Sequence, residues 1–462
     1  MIEKHLFLAQ LKIKNRKRIG YPEKKDFYYD SKTNSCHITF LFFFFVNCQK
    51  EKEDEHLPIF SLVKSSSPNS PTTSTQTPGS NSGNAGGGGL PVANPDPETP
   101  TAACTTNVRQ WTQNELPGTG ENQTFTGLGN GIAVASGGWD TWNGNVLTKV
   151  TRFYNIANGA IWAGPDLNIE KEDAAAVPIS ASRVLITGGF DFTSNESNVA
   201  EIIDTAANPV FDPNTGQIIN DPRHLNTNPM NTARGAHTLT ALADGRVLAV
   251  GGTFISGVDA KAEIYNPATG QWTETGPPLS RRIFHTATLL NDGRVMIVGG
   301  MDSNVVGISA TLIYNPQTNQ WVNGPGLNEG RESHTATLLQ DGRLLVAGGG
   351  ASDWVGGTWV SRYRNTLEIY DPNTNQWTVF TMPGHRTEHG AFLEVGGSVV
   401  MVGGRRGGGA ITTSTLRYAP NTDTWCHLPD VPPLVGITYP RMLLFPTGGA
   451  GFVNGDSNIS LR

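Results

Sequence analysis

The 462-residue sequence is poor in cysteine, in charge and in long apolar runs. Only four cysteines are present, charged residues make up 16%, and the net charge is −6. Without an excess of positive charge the chain cannot neutralise many phosphates, which argues against non-specific nucleic-acid binding. No apolar run reaches the roughly 20 residues of a membrane-spanning helix. The sequence therefore predicts a soluble, globular body.

The first 48 residues have the character of an export signal. A region rich in lysine and arginine precedes Ile38–Val46, a nine-residue apolar run with four consecutive phenylalanines. Such a run is too short to span a bilayer but suits a signal peptide. Cys48 follows after Asn47, and Phe45 to Cys48 resembles a relaxed bacterial lipobox with Phe in place of Leu. The resemblance implies lipidation of Cys48; the alternative is an ordinary signal peptide or a short membrane anchor.

Residues 49–103 have a composition that cannot build a core. A charged run opens this segment, and Ser65–Pro100 is rich in Ser, Thr, Pro, Gly and Asn, with four glycines in series at Gly86–Gly89. Such sequences behave as flexible linkers. We expect a polar tether between the signal and a folded domain at residues 104–462.

One motif recurs through the folded domain at a period of about 50 residues. It begins with an Arg and, three residues later, a His, and it ends with a double glycine fourteen residues after that His. The four histidines are His237, His285, His334 and His389. Three copies carry Asp-Gly-Arg between two apolar runs, which is a strong hairpin signal. This regularity indicates a repeat architecture rather than a single site.

A second motif follows each copy, with Tyr and Trp seven residues apart around a Pro-containing turn. It occurs at Tyr265–Trp272, Tyr314–Trp321, Tyr370–Trp377 and Tyr418–Trp425. Proline fixes φ and cannot continue a strand ladder, so each copy adds a turn and two more strands. One period thus contains four short antiparallel strands, a to d.

Paired glycines with a spaced Tyr and Trp resemble the kelch repeat, over roughly residues 107–462. The resemblance implies an all-β, kelch-type β-propeller. Six double glycines and a degenerate seventh at Asn454-Gly455 predict seven blades. The chain ends where the last blade needs an outer strand, so we expect an N-terminal strand at Asn107–Trp111 to close the ring and cover the sheet edge.

Two cysteines remain once Cys36 leaves with the signal and Cys48 is lipidated. Cys104 precedes the closing strand and Cys426 follows the outer strand of the neighbouring blade, so a disulfide between them would staple the ring in an oxidising compartment. The alternative is two unpaired thiols.

Ligand binding is expected at the end of the propeller that carries the b–c loops and the d–a links, because the short Asp-Gly-Arg and Asn-Pro turns crowd the other end. The b–c loop of blade 5 is lengthened and breaks the repeat pattern. Aromatic and arginine side chains there favour sugars, peptides or protein surfaces, unless the tryptophans only cover their own blade. The predicted rim residues are Trp354, Trp359, Arg362 and Tyr363, with Arg405 and Arg406 on the adjacent blade.

The four repeat histidines admit two interpretations. Around a channel they could hold a metal. However, each occupies the same repeat position beside its own Arg, so a structural role within the blade is favoured, and no metal or cofactor is predicted.

Two enzyme families are the main rivals to a binding function. The copper radical oxidases, similar to galactose oxidase, share the propeller but need two Tyr, two His and a Tyr-linked Cys, a set that this sequence does not supply. A sialic-acid mutarotase-like enzyme would need channel-facing Arg, Glu and His, for which Arg386, Glu388, His389 and Glu332 are the candidates. Fold alone does not fix function.

The sequence therefore predicts a lipid-anchored, extracytoplasmic kelch propeller of the bacterial envelope. We expect a monomer that binds a protein or glycan ligand at its rim, touches the membrane only through its lipid and binds no nucleic acid. Its ligand and its orientation on the envelope stay open, and a sugar oxidase or mutarotase-like enzyme is the alternative.

Overall fold

The computed structural model describes most of the predicted folded domain. The described residues are 29–30, 35–36, 101–105, 111–115, 122–140, 146–211, 218–252, 262–276, 281–304, 306–355, 358–407, 410–431, 441–444, 450–454 and 457–461. The chain divides into two compact units, Met1–Val92 and Ala93–Arg462. Cys48 and nearly all of the predicted signal and tether lie outside the described residues. Among the described residues, no helix is long and apolar enough to cross a membrane.

The strands follow the repeat. In the first unit, β1 (Tyr29–Asp30) pairs with β2 (Ser35–Cys36). In the second unit, β3 (Trp111–Glu115) precedes blade 1, which consists of β4 (Thr124–Gly127), β5 (Ile132–Ser136), β8 (Thr151–Asn155) and β9 (Ile161–Ala163), with the hairpin β6 (Trp139–Asp140) and β7 (Val146–Leu147) in its b–c loop. Blade 2 consists of β10 (Ala175–Pro178), β11 (Arg183–Thr187), β12 (Ala200–Asp204) and β15 (His224–Asn226), with the hairpin β13 (Val210–Phe211) and β14 (Ile218–Asn220) in its c–d loop.

The remaining blades repeat this plan. Blade 3 consists of β16 (Thr238–Ala241), β17 (Val247–Val250), β18 (Ala262–Asn266) and β19 (Gln271–Thr275). Blade 4 consists of β20 (Thr286–Leu289), β21 (Val295–Val298), β22 (Thr311–Asn315) and β23 (Gln320–Asn323). Blade 5 consists of β24 (Thr335–Leu338), β25 (Leu344–Ala347), β28 (Thr366–Asp371) and β29 (Gln376–Thr381), with the hairpin β26 (Gly350–Val355) and β27 (Thr358–Tyr363) in its b–c loop. Blade 6 consists of β30 (Gly390–Leu393), β31 (Val399–Val402), β32 (Thr415–Ala419) and β33 (Thr424–Leu428).

A further four-stranded sheet is assembled from both ends of the second unit. The strands β34 (Arg441–Leu444), β35 (Ala450–Asn454) and β36 (Ser457–Leu461) pair in order, and β3 adds to β36 as the outer strand. Closure by an N-terminal strand is thus confirmed: its described part runs from Trp111 to Glu115, and the rest of the predicted span Asn107–Trp111 lies outside the described residues. Inner strands contact one another in order around the ring, and β34 contacts both β30 and β4.

The predicted count of seven blades was therefore wrong, because six sheets are regular blades and the sheet of β3, β36, β35 and β34, which we call the composite sheet, joins strands from both ends of the unit. Six blades, each built from consecutive strands, have their side chains described. The composite sheet occupies the remaining position, but its sequence has only Asn454-Gly455 where the others have a double glycine.

The double glycine joins neighbouring blades. In blade 5, the N–H of Gly349 donates to the carbonyl of Arg386 in blade 6 at 2.8 Å, and the same bond recurs between other neighbouring blades. Gly348 and Gly349 have φ of 59° and 94°, and a Cβ on Gly348 would lie 2.1 Å from that carbonyl oxygen. Only glycine combines positive φ with so close a backbone approach. We call this bond, with the histidine contact below, the inter-blade joint.

The repeat histidines belong to this joint. Each histidine is buried directly ahead of its inner strand, and its Nε2 lies 2.8 to 3.0 Å from a threonine Oγ1 of the preceding blade. His285, for example, contacts Thr238, the residue after His237. The histidines thus have the predicted structural role. However, their hydrogen bonds join neighbouring blades, whereas a bond within each blade was predicted. The four histidines, one in each of blades 3 to 6, each contact a threonine and do not converge on a metal site.

The repeat arginines are buried beside the histidines. Arg234 and Arg331 are fully buried, and their Nη2 atoms pair with Glu263 and Glu368 at 2.6 and 2.7 Å. In blade 4 the place of this glutamate is taken by Leu312, and Arg282 donates to backbone carbonyls instead. Burial lowers the pKa of Arg282 to about 10.

Stability should depend on pH through the buried histidines. Burial, followed by the charge of Arg282, lowers the pKa of His285 to about 3. Below about pH 6.5, His285 therefore binds a proton in the unfolded chain but not in the folded chain. The free energy of unfolding falls as the pH drops from 6.5 towards 3.

We predict that His285→Gln, which cannot titrate, reduces the slope of unfolding free energy against pH between 5 and 6 by about 1 kcal/mol per pH unit. Urea denaturation of the wild type and the variant at several pH values measures this difference. Identical slopes would contradict the assignment, whatever the variant costs in stability.

Candidate functional site

A ring of residues with positive φ surrounds the channel entrance. In blades 3 to 6 the residue directly before the repeat histidine has a positive φ, and so has the residue at the same place in blades 1 and 2. These six φ values lie between 48° and 58°. The N–H of Glu388 donates to the carbonyl of Ser333 at 3.0 Å, and Ser333 donates likewise to Phe284. Equivalent residues of adjacent blades can bond in this way only close to the propeller axis. We call these residues the mouth ring: Asn122, Asp173, Ala236, Phe284, Ser333 and Glu388.

The mouth ring is symmetric in backbone and asymmetric in chemistry. Blades 3 and 4 contribute Ala236 and Phe284, so this arc of the entrance is apolar. Blades 5 and 6 contribute Ser333 and Glu388, and Glu332 precedes Ser333. Because the hydrogen-bonded backbone fixes these positions, side chains can vary there without disturbing the ring, which is what a binding site on a repeat protein requires.

One glycine opens a notch in this polar arc. The residue after the double glycine is large in four of the other five blades: Trp139, Phe190, Met301 and Arg405. In blade 5 it is Gly350, which forms a β-bridge with Glu332. A Cβ on Gly350 would lie 2.8 Å from Glu332 Oε1 and 3.7 Å from Thr387 Oγ1. The missing side chain therefore leaves the space into which the Glu332 carboxyl reaches.

Besides Thr387, five polar side chains lie around this space, which we call the Gly350 notch. Ser333 Oγ donates a short hydrogen bond to Glu332 Oε2. Arg405 Nε pairs with Glu388 Oε2 at 2.8 Å, with the Glu388 side chain 10% and the Arg405 side chain 30% exposed. Tyr363 is the register partner of Gly350 in the b–c hairpin. The charges of Glu388, Arg405 and Glu332 act on the pKa of its phenol.

The notch holds two carboxyl groups and one guanidinium. Burial, assisted by the charge of Glu388, raises the pKa of Glu332 to about 7 despite the hydrogen bond from Ser333. Burial also raises the pKa of Glu388, and Arg405 opposes this shift. Burial raises the pKa of the Tyr363 phenol, which stays protonated. Near neutral pH the notch thus offers one ion pair, one carboxyl that exchanges its proton and the hydroxyl groups of Ser333, Tyr363 and Thr387.

The structure brings some of the predicted rim residues together. Tyr363 and Arg405 both line the notch. Arg362 is exposed beside Tyr363 on β27, and Arg406 follows Arg405, with its N–H donating to the carbonyl of Ala410. Their side chains are not among those that define the notch.

The predicted tryptophans lie on the hairpin that begins at the notch. Trp354 and Trp359 are register partners on β26 and β27. Their side chains lie outside the described part of the structure, so their contact with a ligand stays a prediction.

Sequence reasoning missed the residues at the centre of the notch as binding groups. Glu332 and Glu388 were considered only as part of an enzyme, and Gly350 was not considered. A signal existed, because Gly348, Gly349 and Gly350 form the one triple among the six double glycines.

The other polar arc, at blades 1 and 2, is closed by its own hydrogen bonds. Glu172 Oε2 accepts from Trp139 Nε1 at 2.5 Å and from Asn122 Nδ2 at 3.0 Å. Its neighbour Lys171 is buried and pairs with Glu201 at 2.7 Å. With Trp139 in the place of Gly350, the space that forms the notch in blade 5 is filled here.

The predicted cysteine pair is joined. A disulfide links Cys104 to Cys426 with a Cα–Cα distance of 5.0 Å. The neighbouring backbone adds two hydrogen bonds, from Cys104 N–H to the His427 carbonyl and from His427 N–H to the Ala102 carbonyl.

Comparison with known proteins agrees with this architecture. Residues 236–433 match the family model described as the KLHDC2/KLHL20/DRC7 Kelch-repeats domain. The chain folds as a kelch-type β-propeller. A kelch domain-containing protein of Sulfurisphaera tokodaii is 27% identical over 94 residues, which are 20% of this chain and only 13% of that relative.

A solved structure shares the fold. It is a fungal alcohol oxidase of the AA5 family, in complex with copper, with a TM-score of 0.58 and 15% identity over 77% of this chain and 76% of that one. At this identity the likeness concerns the fold alone.

The residues that the structure describes do not fit a copper centre of that kind. Within the described ranges, no three His, Cys, Asp or Glu side chains cluster as metal ligands. Cys104 and Cys426 are consumed by their disulfide, and each repeat histidine contacts a threonine. The mutarotase-like set is met only in part, because His389 points to Thr335 while burial and Arg386 lower its pKa to about 3.

The carboxyl pair in the notch should make stability depend on pH in the opposite sense to the histidines. A carboxyl whose folded pKa lies above its unfolded value holds a proton that the unfolded chain releases, so stability falls as the pH rises from about 4.5 to 7.

We predict that Glu332→Gln raises the unfolding free energy at pH 8 by up to about 3 kcal/mol relative to wild type and changes it little at pH 5. Urea denaturation at both pH values tests this. Serine at position 333 is kept, so the amide retains a hydrogen-bonding neighbour. An equal effect at pH 5 and pH 8 would show that Glu332 ionises normally.

Proposed function

We propose that this protein is a binding module that presents the b–c/d–a rim of its propeller to a carbohydrate or protein ligand, with the Gly350 notch at the centre of the site. We further propose that it is exported and held at the bacterial cell envelope by a lipid on Cys48, with residues 49–103 as the tether. The Gly350 notch carries the first proposal, and the sequence of residues 1–48 carries the second.

A carbohydrate fits the chemistry of the notch best. An anionic group would meet Glu332 and Glu388, and a cationic group would meet Arg405. Sugar hydroxyls both donate and accept, so they match a mixed set of carboxyl, guanidinium and hydroxyl groups without adding charge.

The adjacent hairpin adds aromatic residues. Trp354 and Trp359 are register partners, and Trp359 and Tyr363 are four residues apart on β27. An aromatic strip leading away from the notch would stack on the apolar faces of further sugar rings.

A protein ligand is the second candidate, favoured by exposed apolar side chains on the same rim. Four b–c loops expose one each: Val146, Phe192, Val306 and Ile411. Phe192 is 72% exposed. Exposed apolar residues gathered on one face are typical of protein interaction surfaces. An enzyme would instead use Glu332 for proton transfer, and a partner histidine for that role is not supplied by His389.

The carbohydrate proposal predicts a specific loss of binding. The full chain, applied to an array of neutral, uronic-acid-containing and amino-sugar-containing oligosaccharides, should bind neutral members. Replacing both Trp354 and Trp359 with Ala should reduce affinity about tenfold or more, because a stacking contact on an aromatic ring contributes roughly 0.5–1.5 kcal/mol and two such contacts would be lost.

Trp162→Ala is the matched control, because Trp162 is 39% exposed on the outer strand of blade 1, away from the rim. It should leave binding unchanged. An equal loss of affinity in both variants would contradict the placement of the binding site on the rim. Binding confined to charged sugars would contradict the proposed preference of the notch for neutral sugars.

The anchoring proposal predicts the mass of the mature protein. Expressed with its own N-terminus in a bacterial host, the chain should be isolated with a mass that corresponds to a start at Cys48 plus diacylglycerol and acyl groups. Cys48→Ser should abolish lipidation and release the protein from membranes. A mature mass without lipid, starting at another residue, would refute anchoring while leaving the rim proposal untouched.

A further inference from the structure

The N-terminal end of the propeller unit is fastened to the ring at two separate places. Residues 102–104 lie along the outer strand β33 of blade 6, where Ala103 forms a parallel bridge with His427. The chain then continues to β3, which closes the composite sheet against β36. The first attachment is covalent through Cys104–Cys426, and the second is non-covalent, through the pairing of β3 with β36.

We propose that the Cys104–Cys426 disulfide is a force-bearing staple, which carries tension from the tether into blade 6 and keeps the closing strand β3 unloaded. The proposal rests on the tethering in the proposed function, because only an anchored binding module is pulled at this end when its ligand moves.

The closing strand lies at the outer edge of its sheet. β3 is an outer strand whose one neighbour in its sheet is β36, over the five pairs from Trp111↔Leu461 to Glu115↔Ser457. The strand β36 is in turn the last segment of the described chain. If β3 were pulled away, the composite sheet would lose its outer strand, and a newly exposed edge would follow.

The order of residues along the chain decides which element takes the load. Tension that arrives from residues before Ala102 reaches Cys104 before it reaches Trp111. At Cys104 it meets a covalent link to Cys426, whose Cα is 5.0 Å away in β33. Because Cys104 is held at this distance, it cannot move away from blade 6, and the tension does not pass on to β3.

Non-covalent contacts at the same place would not suffice. Apart from the disulfide, the attachment of residues 102–104 to β33 has two backbone hydrogen bonds, of 2.9 and 2.8 Å. Two bonds at the edge of a sheet open readily under load, since each contributes only about 1 kcal/mol. After they open, the force passes directly to β3.

Blade 6 is a suitable anchor point. Its strands β31 and β32 are nearly all buried, and Leu428, at the end of β33, is fully buried. The blade is also joined to blade 5 through the Gly349–Arg386 bond and the His389–Thr335 contact. Force that enters at Cys426 is therefore distributed over the regular part of the ring.

Single-molecule force spectroscopy of the full chain tests the proposal. One handle is placed at the N-terminus and the other on the rim, through p-azidophenylalanine in place of the exposed Phe192. In the oxidised protein we expect no extension step before the blades themselves unfold. After addition of a reductant to the same molecule, an early low-force step of roughly 40 Å should appear as about 12 residues, from Cys104 through β3, are released.

Moving the N-terminal handle to the C-terminus provides the control. Force then acts on β36 directly, and the first step should be the same with and without the disulfide. Because reduction is done on molecules that are already folded, the test does not depend on the folding of Cys104→Ser or Cys426→Ser, which should reproduce the reduced behaviour wherever they fold.

Two outcomes would overturn the staple. If reduction changes no step in the N-terminal geometry, the disulfide carries no load. If reduction lowers the unfolding force equally for pulling from the N-terminus and from the C-terminus, the disulfide is a general stabiliser and does not transmit the force. Neither result bears on lipidation of Cys48, which the mass of the mature protein decides separately.

Discussion

The structure depends on a backbone hydrogen bond between blades, from the N–H of the second repeat glycine to the carbonyl of the next repeat arginine. Gly349 to Arg386 is a representative case. The bond requires a glycine pair with positive φ, and it brings the arginine and histidine of the next blade into a closed interface. The repeat residues are therefore explained by contact between blades, and a ligand is not needed to account for them.

This joint also separates structure from function. Because Arg386 and His389 fix the start of the inner strand, the residue between them that belongs to the mouth ring, Glu388, is free to differ from its counterparts without loss of the ring. Functional chemistry is accordingly found where the repeat is broken. Gly350 is the clearest break, since a small residue there replaces a large one and admits the carboxyl of Glu332.

Much of the fold could be predicted from the sequence, because the repeat states the same strand pattern several times. The Asp-Gly turns and the Tyr–Trp spacing predicted the antiparallel ladders in which Tyr370 and Trp377 are register partners. The direction of the histidine contact could not be predicted, since a repeat period does not say whether a side chain faces its own blade or the next. The composite sheet could not be distinguished from a regular blade by counting glycine pairs, because Asn454-Gly455 keeps only one glycine of the repeat.

The candidate site was predicted in part. Tyr363 and Arg405 were found because aromatic and basic residues in a lengthened loop are conspicuous in a sequence. Glu332 and Glu388 were not found as binding groups, because they are 56 residues apart and meet only when blades 5 and 6 pack. A glycine that functions by leaving space carries no chemical signal of its own.

The most direct test of the account compares two adjacent glycines, Gly349→Ala and Gly350→Ala, by thermal unfolding. Gly349 belongs to the joint: its φ is 94° and a Cβ would lie 2.7 Å from the Glu332 carbonyl oxygen. Gly350 has no such φ, and its Cβ would meet the movable carboxyl of Glu332. The account predicts a clearly lower melting temperature for Gly349→Ala and one close to wild type for Gly350→Ala. Equal destabilisation of both, or the reverse order, would contradict the separation of a joint that holds the ring from a notch that serves the ligand.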